Sequence, residues 1–174
     1  MIRILVADDS TTVREYLTFL LEQDPALQVV GTARDGLDAL EQAERLKPDV
    51  IVMDVHMPRM NGYEATRQIM ERVPTPIVMV SASSTRYEAT AAFEALKAGA
   101  LTVIEKPGGP EHPAQAEGAK RLLETVKLMA EVKVVRRWPR RERLAPPSPL
   151  SAKADRTIRL IAVGGSTGAP QVIA

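Results

Sequence analysis

The sequence predicts an α/β protein in which helices flank a five-stranded parallel sheet. Three observations predict it. Five short runs rich in Val, Ile and Leu are apolar along nearly their whole length. Segments with apolar residues at helical spacing lie between them. Gly, Pro and Asp mark the junctions. A strand that is apolar throughout is buried on both faces, and parallel sheets covered by helices have that property.

The elements follow in order. Ile2 to Asp8 ("IRILVAD") reads as a buried strand. A helix follows with Val13, Leu17, Leu20 and Leu21 on one side, and Ser10, Thr11 or Thr12 is placed to cap it. Leu27 to Ala33 is a second strand. Asp35 caps a second helix, with Leu37, Leu40 and Leu46 on one side, and Pro48 ends the connection. Asp49 to Asp54 ("DVIVMD") is a third strand, followed by the loop "MPRMNG" and a helix over Tyr63 to Arg72. Pro76 to Ala82 is a fourth strand. Arg86 to Ala98 is an alanine-rich helix closed by Gly99. Ala100 to Pro107 is a fifth strand. The last helix runs from about Ala114 to Val132, with Leu122, Leu123, Val126, Met129 and Ala130 as its apolar stripe.

After Trp138 the composition changes. Pro139 to Arg156 holds four prolines and few apolar residues, so it cannot bury a core and reads as a linker. The strand pattern restarts at "TIRLIAVGG". The expected organisation is a first domain over 1–132, a basic, Pro-rich linker over 133–156, and the start of a second α/β domain over 157–174.

Charge is also uneven along the chain. Residues 1–112 hold 17 Asp/Glu against 11 Lys/Arg, whereas residues 113–174 hold 5 against 12. The basic back half reads as a solvated helix and linker, and no nucleic-acid partner is expected. There is no run of roughly 18 apolar residues, so no membrane partner is expected either. Cysteine is absent, which excludes disulfides and thiolate metal sites. A cytoplasmic setting is the expectation.

A parallel sheet carries its functional groups beyond the C-terminal ends of its strands. Here those ends are Asp8 and Asp9, Asp54, Ser81 and Lys106. Each alone reads as a helix cap or a surface residue. Together they crowd three carboxylates beside an ammonium and a hydroxyl. Like charges that close repel, and a divalent cation relieves the strain. With all-oxygen ligands the fitting ion is Mg2+. Magnesium and a lysine can neutralise a phosphoryl group in transfer, and a carboxylate can accept it as an aspartyl phosphate. Asp54, in mid-sheet, is the expected acceptor, with Asp8 and Asp9 on the metal.

The runs "VADDS", "VMDVHMPRMNG", "VMVSAS", "KAGA" and "IEKP" fall in order over residues 1 to 130 and resemble the receiver domain of two-component response regulators. The resemblance implies a flavodoxin-like, doubly wound sheet of order 2-1-3-4-5. It implies Asp54 as phosphoacceptor for a histidine kinase, and Asp8, Asp9, Asp54 and the backbone carbonyl of His56 as Mg2+ ligands. Ser81 matches the signalling hydroxyl and Lys106 the phosphate-contacting lysine. A cis peptide before Pro107 is expected on the same ground. One position departs. Many receivers carry an aromatic switch residue where this chain has Val103, so the signal is expected to travel through the fourth helix, the fifth strand and their loop. His56 lies two residues past Asp54, where it could control water access. His112 receives no role.

A receiver, a basic helix end, a proline-rich linker and then "LIAVGGSTGAPQ" resemble the chemotaxis response-regulator methylesterases, the CheB family. The resemblance makes Ser166 the esterase nucleophile, with Ala169 where a second glycine is usual. It makes chemoreceptor glutamyl methyl esters, and in some members receptor glutamines, the substrates, and it makes the methylesterase domain the receiver's own partner. A serine needs a base to become nucleophilic. Eight residues follow Ser166 and none is His or Asp, so this chain is expected to show no esterase activity and its last strand to lack a sheet. Two other readings are open. A stand-alone receiver acting by contact would need neither linker nor Gly-x-Ser-x-Gly turn. A DNA-binding regulator would need a helix-turn-helix after the linker, where strand and turn are read instead.

Overall fold

Among the described residues of a computed structural model of the chain, ten elements alternate strictly between strand and helix. The structure describes residues 1–82, 88–109 and 113–136, with the side chains of 88–91 left aside. Ser166, Trp138, His112, the expected linker from residue 137 on and the expected closing strand lie outside the described residues. The described residues all belong to one compact unit, Met1–Pro139.

The strands are β1 (Ile2–Ala7), β2 (Leu27–Ala33), β3 (Val50–Asp54), β4 (Ile77–Ser81) and β5 (Thr102–Glu105). The helices are α1 (Thr11–Leu21), α2 (Gly36–Leu46), α3 (Gly62–Arg72), α4 (Glu88–Ala98) and α5 (Gln115–Ala130). The sheet order is β2-β1-β3-β4-β5, and every pair is parallel. This is the flavodoxin-like topology expected from the sequence. Ala7 pairs with Met53, Asp54 with Val80, and Ser81 with Glu105. The register therefore brings the C-terminal ends of β1, β3, β4 and β5 to one edge.

Alternate strand residues point to opposite faces. Leu5, Ile51, Met53, Ile77 and Met79 pack on one face with Ala39, Leu40 and Ala43 of α2, Ala65 and Ile69 of α3, and Ala95 of α4. Ile4, Val6, Val50, Val52, Val78, Val80 and Ile104 pack on the other with Leu17, Leu20 and Leu21 of α1 and Leu122 and Val126 of α5. Gly31 lets α2 approach the sheet: a Cβ there would stand 2.5 Å from Leu46 Cδ1.

Three caps set helix starts at the functional edge. Ser10 Oγ accepts from Val13 N–H, Asp35 from Leu37 and Asp38 N–H, and Asn61 from Glu64 N–H. At the opposite pole Lys127 of α5 pairs with Asp24 after α1, and hydrogen bonding by Lys127 holds the Asp24 carboxyl below its usual range. Beyond α5, the Arg136 side chain donates to the carbonyls of Glu71 (2.6 Å) and Arg72 (3.1 Å) at the end of α3.

Two details of the sequence reading change. Leu37 is exposed rather than part of the α2 stripe. The buried stripe is Gly36, Ala39, Leu40 and Ala43, and Leu37 sits about 100° around the helix from Gly36. On α5 the fully buried residues are Leu122 and Val126, while Leu123, Met129 and Ala130 pack from the margin.

Candidate functional site

The functional edge is built from the ends of three strands. Asp8 follows β1 and is completely buried, Asp54 closes β3 and is nearly so, and Asp9 stands exposed beside them. One carboxylate oxygen from each of these three lies within 4.8 Å of the others. Lys106, directly after β5, bridges the two buried acids. Its Nζ is 2.7 Å from Asp8 Oδ2 and 3.0 Å from Asp54 Oδ1.

The electrostatics follow from burial. Desolvation pushes the Asp54 carboxyl above its ordinary range, and the Asp8 charge adds to the push; Lys106 opposes it without reversing it. Burial pulls the Lys106 ammonium down. Its hydrogen bonds to Asp8 and Asp54 and their charges outweigh that pull, so its pKa stands raised. One lysine thus serves two buried carboxylates, with a third acid alongside. The cluster is short of positive charge. Its donors are hard carboxylate oxygens, with no imidazole or thiolate among them, which fits an oxygen-seeking divalent cation.

Surrounding groups hold the acids in place. Ser10 N–H donates to Asp8 Oδ1 at 3.0 Å. Arg14 reaches back from α1 and donates to the backbone carbonyls of Asp8 (2.6 Å) and Asp9 (3.1 Å). Tyr16 donates its hydroxyl to the carbonyl of Gly108 at 2.7 Å, tying the loop after Lys106 to α1. Gly62 lies against the backbone of Asp54, where an added Cβ would stand 2.1 Å from the Asp54 carbonyl oxygen. Any side chain there would displace the start of α3 from the end of β3.

The structure brings Asp8, Asp9, Asp54 and Lys106 together. Ser81 stands at the end of the neighbouring strand, and its hydroxyl donates to the Ala82 carbonyl at 3.4 Å. His56 is exposed in the loop after Asp54. Val103 is half-buried against the α2–α4 core. The peptide before Pro107 is trans, which corrects the expectation of cis. The trans form is the intrinsically favoured one by about 0.5–1 kcal/mol, and Lys106 reaches both acids with it. Sequence reasoning missed Arg14 and the pairing of Asp35 with Arg59. Arg14 had a faint signal, a cation one turn into the helix that follows two acids. Arg59 had none.

Comparison with known proteins sets the class first. A family model described as the response regulator receiver domain matches residues 4–117. The protein-glutamate methylesterase/protein-glutamine glutaminase 4 of Geobacter metallireducens is 47% identical over 175 residues, covering 99% of this chain and 50% of that protein. Its namesake from Myxococcus xanthus is 49% identical over 177 residues, covering 99% and 49%. The chain spans about half the length of these curated relatives. Among solved structures, the response regulator domain of Thermotoga maritima CheB superposes with a TM-score of 0.68 at 42% identity, covering 76% of this chain and 98% of that one. The CheX–CheY–BeF3–Mg2+ complex of Borrelia burgdorferi matches with a TM-score of 0.59 at 25% identity, covering 71% and 88%. The chain belongs to the response regulator receiver family and, within it, to the branch of the CheB methylesterases.

Proposed function

We propose that this chain is the phosphorylatable switch of a chemotaxis methylesterase, with Asp54 as its phosphoacceptor. The observation that carries the reading is the position of Asp54: on the central strand, buried, and bridged by Lys106 to Asp8. The Asp54 carboxylate attacks the phosphorus of a phosphohistidine on a histidine kinase. An O–P bond forms, the N–P bond breaks, and the imidazole leaves. Lys106, within 3.0 Å of Asp54 Oδ1, remains to pair with the incoming phosphoryl oxygens. Asp8, Asp9, Asp54 and the His56 carbonyl would hold Mg2+, which neutralises phosphoryl charge when bound. The Mg2+ and beryllofluoride named for the Borrelia complex support that choice of ion and of chemistry.

Ser81 turns its hydroxyl from the Ala82 carbonyl toward the new phosphoryl oxygen, and the change passes to α4 and β5 past Val103. In the longer protein, the receiver over 1–132 and linker over 133–156 would precede a methylesterase domain opening near 157, with Ser166 as its nucleophile. The phosphoryl group would shift the receiver away from that domain's cleft, a change of population between two arrangements. The domain's substrates would be glutamyl methyl esters and glutamine amides of chemoreceptors. The names of the curated relatives, methylesterase and glutaminase, support both.

The test is incorporation of radiolabelled phosphoryl group from acetyl phosphate with Mg2+ present. The wild-type chain takes up label that is labile to hydroxylamine, and Asp54→Asn takes up none. Equal labelling of the variant would overturn the assignment.

A further inference from the structure

The loop between β3 and α3 holds an arginine in a conformation that suits glycine. Arg59 has φ 63°, in the left-handed region. A long side chain there is unfavourable to the backbone. The side chain itself is half exposed, yet it ends on a buried acid. Its Nε donates to Asp35 Oδ2 at 2.8 Å, and its Nη2 donates to the same oxygen. The other oxygen, Oδ1, accepts from Leu37 and Asp38 N–H at 3.0 Å each. Asp35 is 2% exposed. It caps α2 with one oxygen and holds the loop with the other.

Two backbone contacts complete the attachment. Gly36 N–H donates to Met60 O at 3.0 Å, and a Cβ on Gly36 would stand 2.5 Å from that oxygen. Gly62 N–H donates to Val55 O at 3.0 Å. The loop is thereby fixed to α2 at its middle and to the end of β3 at its close. His56 lies between the held positions.

We infer that Arg59, clamped on Asp35, is a positioning residue that locks the loop carrying His56 against the start of α2. The lock presents the loop's backbone to the acid cluster already in place, so a cation binds without first ordering the loop. Arg59 touches neither the cation nor the phosphoryl group. The part concerning metal rests on the reading of Asp54 as a phosphoacceptor beside Mg2+.

The test compares the full chain with Arg59→Gly, which relieves the backbone and removes the clamp, and with Arg59→Lys, which keeps charge but not the fork. Hydrogen exchange at the Gly36 and Gly62 amides reads the lock without metal. Titration with Mg2+ alone, followed by amide chemical shifts, reads its consequence. Arg59→Gly is expected to exchange those amides about tenfold faster and to weaken Mg2+ binding about tenfold, the lower end for groups that orient metal ligands. Arg59→Lys should fall between. Combining Arg59→Gly with Asp35→Asn should add little to either single effect, as for two halves of one contact. Unchanged exchange in Arg59→Gly overturns the inference whatever the metal does. A wild-type chain that binds no Mg2+ overturns the metal reading instead, and the exchange rates still decide the lock.

Discussion

Asp54 is at odds with its surroundings. Burial favours its neutral form, and the ammonium of Lys106, shared with Asp8, does not fully compensate. Its folded pKa stands above the ordinary value. Such a group contributes stability that is present below the unfolded pKa and lost as pH rises through the folded one. At neutral pH the fold therefore bears the cost of this buried carboxylate. Asp54→Asn should raise the thermal midpoint at pH 7 by a few degrees, the shift that about 1 kcal/mol gives in a domain of this size. The gain should vanish toward pH 3 in the absence of divalent metal. A midpoint that falls at pH 7 would contradict this account. Asp35 has the opposite sign. Burial raises its pKa, but the Asp38 amide, Arg59 and the Leu37 amide together lower it further. Its contribution is present above the unfolded pKa and is lost as pH falls.

Among the elements, those that carry the site were the most legible in the sequence. β3 is buried at all five positions, so its apolar run could have no other setting. The acids and the lysine that end β1, β3 and β5 stand where a parallel register must put them. Legibility failed where a side chain leaves its own element. Arg14 turns back onto the loop before it, and Arg59 crosses to Asp35, 24 positions earlier. Neither contact leaves a periodic trace. Leu37 misled because an apolar residue at a helix start fits several stripes, and the close approach of Gly36 to Met60 decides which one faces inward. α5 illustrates what packing rather than propensity supplies. Its first turn has no side-chain cap, and Leu122 and Val126 anchor it. Leu122→Ala should cost about 3 kcal/mol in urea denaturation, within the usual range for a buried leucine. A loss below about 1 kcal/mol would mean that α5 is held in some other way.

At the scale of the whole molecule, the described residues form one folded unit. Among them no helix is long and apolar enough to cross a membrane. The acidic front half places Asp8, Asp9 and Asp54 at one pole, and the basic stretch begins after α5, at the other. Arg136 is the first residue of that stretch to reach across, capping α3 through two carbonyls. A cation at a helix C-terminus stabilises it modestly. Arg136→Ala should lower the urea midpoint by the equivalent of about 0.5 kcal/mol without changing the slope of the transition, and by less in high salt. A salt-independent loss would point to packing instead of charge.

That contact gives α3 a mechanical meaning. Its 11 residues make a rod about 16 Å long. One tip, Gly62, bears on the carbonyl of Asp54 with no space for even a methyl group between them. The other tip accepts two hydrogen bonds from Arg136, beyond α5. The Arg136 contact therefore stands at the far end of a rod whose near end rests on the central acid. Loosening the grip at Arg136 frees one end of the rod and leaves its seat on β3 untouched.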